Sequence, residues 1–63
     1  GEESFFTLLT RAQTQGELPK GKDPRALARF LTTMMQGTIV MIKSGASAES
    51  ITQSAEMALR ILE

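Results

Sequence analysis

The stretch Asp23–Gly45, DPRALARFLTTMMQGTIVMIKSG, decides how the rest of the 63-residue chain is read. It opens with a residue that caps helices, puts Pro at the first helical position and stops at Gly, the start and stop signals of one long helix. The Asp23 carboxylate can accept the free N–H groups of the first turn, and Pro24 has no N–H to leave unsatisfied. With residues about 100° apart, Arg25, Arg29, Thr32, Thr33, Gln36, Lys43 and Ser44 gather on one side. Leu27, Phe30, Leu31, Met34, Met35, Gly37, Thr38, Ile39, Met41 and Ile42 fill the remaining arc. That arc spans roughly 200°, well beyond the apolar stripe that one neighbour covers. The long helix therefore wants neighbours on two sides, and a chain this short is poorly placed to supply both.

The totals narrow the function classes. There is no Cys and no His, which removes disulfides, thiolate sites, the usual zinc ligand sets and His-based acid–base chemistry. At this length a single core rarely supplies more than about 3–5 kcal/mol without a disulfide, a metal or a partner chain. Self-association is thus the expected source of further stability. Seven basic and seven acidic side chains cancel, a balance that argues against a self-standing nucleic-acid binder. No apolar run approaches the length of a membrane span, and no secretory signal is visible. The absence of Cys fits a reducing compartment, so a cytoplasmic location is expected. The chain opens on Gly rather than Met, and the expectation is a cleaved or trimmed segment of something longer.

Outward from the long helix, the spacing predicts a first helix over about residues 2–15. Phe5, Leu8, Leu9 and Ala12 recur at i, i+3, i+4 and i+7 as one apolar face. Glu2 and Glu3 in the first turn and Arg11 in the last suit the helix dipole, and Gly16 is placed to end the helix in the left-handed conformation. Phe6 points about 100° away from that face. It packs on the edge of the next helix, walls a ligand pocket of which Met35 is the other candidate edge, or contacts chain outside these residues. The connector GELPKGK (16–22) holds Leu18 as its one apolar anchor. Lys20, Lys22, Arg25 and Arg29 form the one basic cluster. With no aromatic residue interleaved for base stacking, it reads as solvated surface.

The long helix itself is expected over residues 24–44. Gly37 sits in its interior, where Gly costs about 1 kcal/mol relative to Ala. Phe30, Met34, Gly37 and Met41, spaced four, three and four apart, have the spacing of a helix–helix seam in which Gly allows close approach. A kink is the competing explanation of the same Gly. Met34 and Met35 give an adaptable surface that suits core filling better than ligand contact. Ser47 is the best cap for a third helix over about 48–62, with Ile51, Ala55, Ala58, Leu59 and Leu62 as its apolar stripe and Ser54, Met57 and Ile61 beside it. The short link between the last two helices predicts an antiparallel hairpin, and two such hairpins from two chains would make a four-helix bundle. The expected fold class is all-α.

The residues QGELP (15–19), DPRALARFL (23–31), QGTIVMIKSGAS (36–47) and ESITQSAEMALRIL (49–62) together resemble the carboxy-terminal end of bacterial regulators of the tetracycline-repressor (TetR) family. Members often carry a helix ending near GEL, a long helix opening DP…LA with a mid-helix QG, then AGAS, then an amphipathic last helix. Here Ser44 replaces the first Ala of AGAS. The resemblance covers almost the whole chain and rests on caps, Gly positions and apolar spacing. It implies that the last two helices dimerise, that residues 3–15 are the last helix before the interface pair, and that preceding helices surround a small hydrophobic effector. The candidate dimer interface is Phe30, Met34, Gly37, Met41, Ile51, Ser54, Ala55, Ala58, Leu59 and Leu62, with Phe6 and Met35 as the candidate pocket edge. The family's DNA-reading helices have no counterpart in these residues. The segment is therefore expected to form a homodimer, to touch neither nucleic acid nor membrane itself, and to need no cofactor.

Other function classes fare worse on the residues. An enzyme is not expected, because the one Asp has a capping position and the Glu residues fall on solvent faces. A three-helix DNA-binding domain would present its third helix to phosphates, yet that helix carries Glu49, Glu56 and Glu63 against Arg60 alone. A helical interaction module unrelated to transcription stays open on the residues, since it would share the same association chemistry.

Overall fold

The computed structural model describes residues 1–63 and contains three helices and no strand. They are α1 (Glu2–Thr14), α2 (Pro24–Lys43) and α3 (Ala48–Ile61), so the chain is all-α. Each ends one residue before the sequence-based boundary, because Gln15, Ser44 and Leu62 serve as C-caps.

The local chemistry explains the boundaries. The Asp23 carboxylate accepts from the backbone N–H of Arg25 at 3.0 Å and of Ala26 at 3.3 Å, and the Ser47 hydroxyl accepts from Ser50 N–H at 3.1 Å. Gly16 and Gly45 adopt φ of 81° and 88°, the left-handed conformation in which Gly escapes the Cβ penalty. Around Gly16, the Glu17 N–H reaches the Ala12 carbonyl and the Gly16 N–H reaches that of Gln13. Around Gly45 the same pair of bonds runs from Ala46 to Met41 and from Gly45 to Ile42. Both are Schellman closures that satisfy carbonyls otherwise left over at a helix end. The first turns the chain so that Leu18 folds back under α1, where it is 4% exposed. The Gln13 side-chain amide then holds the connector, donating to the carbonyls of Pro19 at 3.0 Å and Lys22 at 2.8 Å.

Leu9, Leu18, Leu27 and Ala28 form the core, with Phe5, Phe6, Ala12, Leu31 and Leu62 packed against it. This cluster joins α1 to the first half of α2, and the contact between α2 and α3 is much slighter. On α1 the docking edge differs from the expected face. Leu8 is 60% exposed while Phe6 packs on the core, so the buried stripe runs through Phe5, Phe6, Leu9 and Ala12. The cause is long-range, because Arg25 of α2 holds Glu2 and Glu3 and lies over the Phe6 ring. That rotates α1 toward its Phe6 side and leaves Leu8 outside.

Only five of the 63 residues are buried, and Leu8, Met35, Ile39, Val40, Met41, Ile42, Met57, Leu59 and Ile61 stand exposed. The shape agrees. The radius of gyration is 12.8 Å and the principal extents are 39 × 20 × 14 Å, against a radius of about 10.6 Å for a compact chain of this length. The second half of α2, with α3 beside it, projects beyond the core.

Candidate association surface

The surface is built on α2, which presents different residues in its two halves. In the first half, Ala28 is fully buried and Leu31 is half-buried against the α1 core. In the second half, Met35, Ile39, Val40, Met41 and Ile42 are all 47–61% exposed. Thr38, within the apolar arc, keeps its hydroxyl satisfied by donating to the Met34 carbonyl at 2.8 Å. It therefore sits among apolar neighbours without an unpaired polar atom.

Two open grooves run between α2 and α3. The first, about 380 Å³, is lined by Phe30 and Met34 on α2 and by Ser54, Met57, Ala58, Arg60 and Ile61 on α3. The second, about 480 Å³, lies between Thr33, Met34, Gly37, Thr38, Val40 and Met41 on α2 and Ser50, Ile51 and Ser54 on α3. Gly37, Ser50 and Ser54 are the small residues of its lining. A Cβ placed on Gly37 would meet nothing within 4 Å, so the space over Gly37 is open to solvent in the single chain.

The ten candidate interface residues separate into groups. Phe30, Met34, Gly37, Met41, Ile51, Ser54 and Ala58 come together along the two grooves. Ala58 is already buried and Leu62 packs on the α1 core. Ala55 and Leu59 are exposed and line neither groove, Leu59 at 62%. Of the candidate pocket edge, Phe6 lies beneath Arg25, whose guanidinium carbon is 3.8 Å from the ring centroid. Met35 is half exposed and borders no cavity. The structure does not bring Phe6 and Met35 into one pocket.

Charge is concentrated at the α1–α2 contact. Arg25 pairs with Glu3 at 2.7 Å and with Glu2 at 3.2 Å, and Arg29 reaches Glu2 at 3.4 Å. The Arg25 pKa is pushed above its ordinary value by the hydrogen bond to Glu3 and, against the opposing cost of desolvation, by Glu2. The basic cluster is therefore divided. Arg25 and Arg29 are engaged by α1 carboxylates, and Lys20 stands exposed on the connector. No three His, Cys, Asp or Glu side chains gather where they could hold a metal, and no helix is long and apolar enough to cross a membrane.

Val40 is the residue that sequence reasoning passed over. It stands among the polar residues of α2, yet it is 61% exposed and borders the second groove and a third beside Thr32, Thr33 and Gln36. A β-branched apolar residue on an otherwise polar face was the available signal. Met57 and Ile61, flanking residues by spacing, line the first groove.

With this geometry in view, comparison with known proteins gives one informative relation. The chain is 35% identical over 60 residues to the HTH-type transcriptional repressor ComR of Escherichia coli (strain K12), a match that covers 95% of this chain and 29% of the repressor. The sequence is thus related to that of a transcriptional repressor along nearly its whole length, and it spans less than a third of that protein. No protein-family model matches the chain, and no solved structure matches it.

Proposed function

We propose that this chain is the dimerisation and partial effector-binding region of a TetR-like, cytoplasmic transcriptional regulator whose DNA-binding helix-turn-helix lies outside these residues. The match to a repressor over 95% of the chain carries the reading. The structure adds a physical reason for association, because few residues are buried and long apolar side chains stand exposed on α2 and α3. Residues early in α2 share a groove with residues late in α3, and residues later in α2 share one with the start of α3. This order supports an antiparallel α2–α3 hairpin, and two hairpins back to back give a four-helix bundle. The role is association rather than catalysis. A small hydrophobic effector would be bound only with helices beyond this segment.

Sedimentation equilibrium over a wide concentration range tests the association, with interference optics because the chain has no Trp or Tyr. A dimer that loses helix only as it dissociates is expected, and a stable folded monomer throughout would overturn the reading. The regulator assignment has its own check in the coding sequence upstream of Gly1. A basic helix-turn-helix is expected there, and an unrelated domain would refute it.

A further inference from the structure

Helix α1 carries two apolar edges, and we infer that polar contacts along one of them act as a rotational latch, choosing which of Phe6 and Leu8 packs inward and which is offered to solvent. The inference does not depend on the dimerisation reading. With about 100° between neighbours, Phe5, Leu9 and Ala12 fall within about 60° of one another and form a stripe common to both seatings. Phe6 stands about 100° to one side of Phe5, and Leu8 about 60° to the other. Either can complete the stripe, and the centres of the two resulting faces differ by about 40° of helix rotation. The observed seating is the Phe6 one. Phe6 packs on the core with Phe5 and Ala12, while Leu8 is 60% exposed.

Hydrophobicity alone does not settle that choice, because Phe and Leu side chains gain comparable free energy on burial. The polar contacts settle it. Glu2, Phe6 and Gln13 are four and seven positions apart, which puts them on one edge of α1. At the amino-terminal end Glu2 pairs with Arg25 at 3.2 Å and Arg29 at 3.4 Å, and Glu3 adds a 2.7 Å contact to Arg25. One turn on, the Arg25 guanidinium carbon stands 3.8 Å from the Phe6 ring centroid. At the carboxy-terminal end the Gln13 amide donates to the Pro19 and Lys22 carbonyls. Every side-chain hydrogen bond and ion pair from α1 to the rest of the fold lies on this side of Phe5. The edge of Ser4, Leu8, Arg11 and Gln15 has none.

Turning α1 toward Leu8 carries Glu2, Phe6 and Gln13 away from their partners together, so the contacts are made or lost as a set. The ion pairs are the adjustable part. The Arg25 and Glu2 side chains are each 34% exposed and Glu3 is 80% exposed, so solvent ions reach them and salt weakens them. With the stacked guanidinium they amount to about a tenfold bias or more between the two seatings. Loss of charge at this cluster therefore changes the surface of α1 from one presenting Leu8 to one presenting Phe6.

The test uses the full 63-residue chain with Leu8→Trp as a reporter, since there is no other Trp. In the chain with the latch intact the indole should be freely quenched by acrylamide. Adding Arg25→Gln and Gln13→Ala should lower the quenching constant about twofold or more with helix content unchanged, as the released helix turns Trp inward. High salt should move the reporter in the same direction with the latch residues intact. A second measurement keeps Leu8 itself. In Arg25→Gln/Gln13→Ala, nuclear Overhauser contacts from the Leu8 methyls to α2 should appear as those from the Phe6 ring weaken. An indole equally exposed in both backgrounds, with no Leu8 contact to α2, would overturn the latch, leaving α1 one seating if it stays docked and a simple clasp if it undocks. Protection that grows with protein concentration would assign the change to association and overturn it too, without touching the dimerisation reading.

Discussion

Replacing Gly37 with Leu separates the fold of one chain from the contact between two. Gly37 lies in the interior of α2, where Gly costs about 1 kcal/mol relative to Ala and Leu costs little. A Cβ at this position meets nothing within 4 Å, so inside one chain the substitution removes the penalty without a clash. The isolated fold should gain roughly 0.5–1 kcal/mol. Between chains the sign reverses. In a seam that closes over Gly37, the added side chain enters space occupied by the partner, and overpacking of that kind costs about 1–3 kcal/mol. The dimer dissociation constant should rise about fivefold or more. Sedimentation equilibrium reads the association and far-UV circular dichroism reads the helix. A dissociation constant unchanged by Gly37→Leu would remove Gly37 from the interface, and lost helix in the monomer would refute the open space over it.

The other predictions concern the contacts within the chain. Asp23→Ala removes the acceptor for the Arg25 and Ala26 N–H groups and should lower stability by about 1 kcal/mol in urea unfolding, with Asp23→Ser recovering most of it. Ala58→Glu puts an unpaired charge at a position 7% exposed. It should destabilise by more than about 2 kcal/mol and detach α3, and a fully folded dimeric variant would show that the last helix packs the other way round. Arg25→Leu should lower the thermal midpoint more at low salt than at high salt, because salt screens the pairs with Glu2 and Glu3. The raised Arg25 pKa works in the direction of a base gaining partners. Its stabilisation is complete below the unfolded pKa and fades only as pH climbs through the raised folded value, so a mildly alkaline titration should leave α1 docked.

What was legible in the sequence is what a single turn of chain decides. Asp23, Pro24, Gly45 and Ser47 mark helix ends by satisfying or terminating nearby backbone groups, and those rules act over four or five residues. Leu18 followed in the same way from its place after Gly16. The rotation of one helix against another is a different kind of information. Periodicity placed Leu8 with Leu9 on one face, but Arg25, more than twenty positions from Glu2 and Glu3, turns α1 toward Phe6. No pattern within residues 2–15 contains that contact. The basic cluster failed to read as paired for the same reason, since its partners lie across the fold. On the α3 stripe Ala58 is buried within the chain while Ala55 and Leu59 stand exposed, and an amphipathic stripe does not say which of its edges faces the neighbouring helix. Val40 was invisible to a scheme that sorted α2 into one polar and one apolar arc.

These limits bear on how the chain holds its fold. The core joins α1 to the first half of α2 around Leu9, Leu18, Leu27 and Ala28, while Ala58 is the one buried residue of α3. A core of this size supplies at most about 3–5 kcal/mol, and little of it acts on the far half of α2. In the proposed dimer, association would offset the deficit where it is greatest. A partner present at a hundredfold excess over its dissociation constant adds about 2.7 kcal/mol to the state that binds it, comparable with the core itself. In the proposed dimer that energy would fall on the second half of α2, which the α1 core does not reach. The same 200° arc thus gives its first half to the chain's own first helix and leaves Met35, Ile39, Val40, Met41 and Ile42 exposed in the second half, which is the physical case for the proposed dimer.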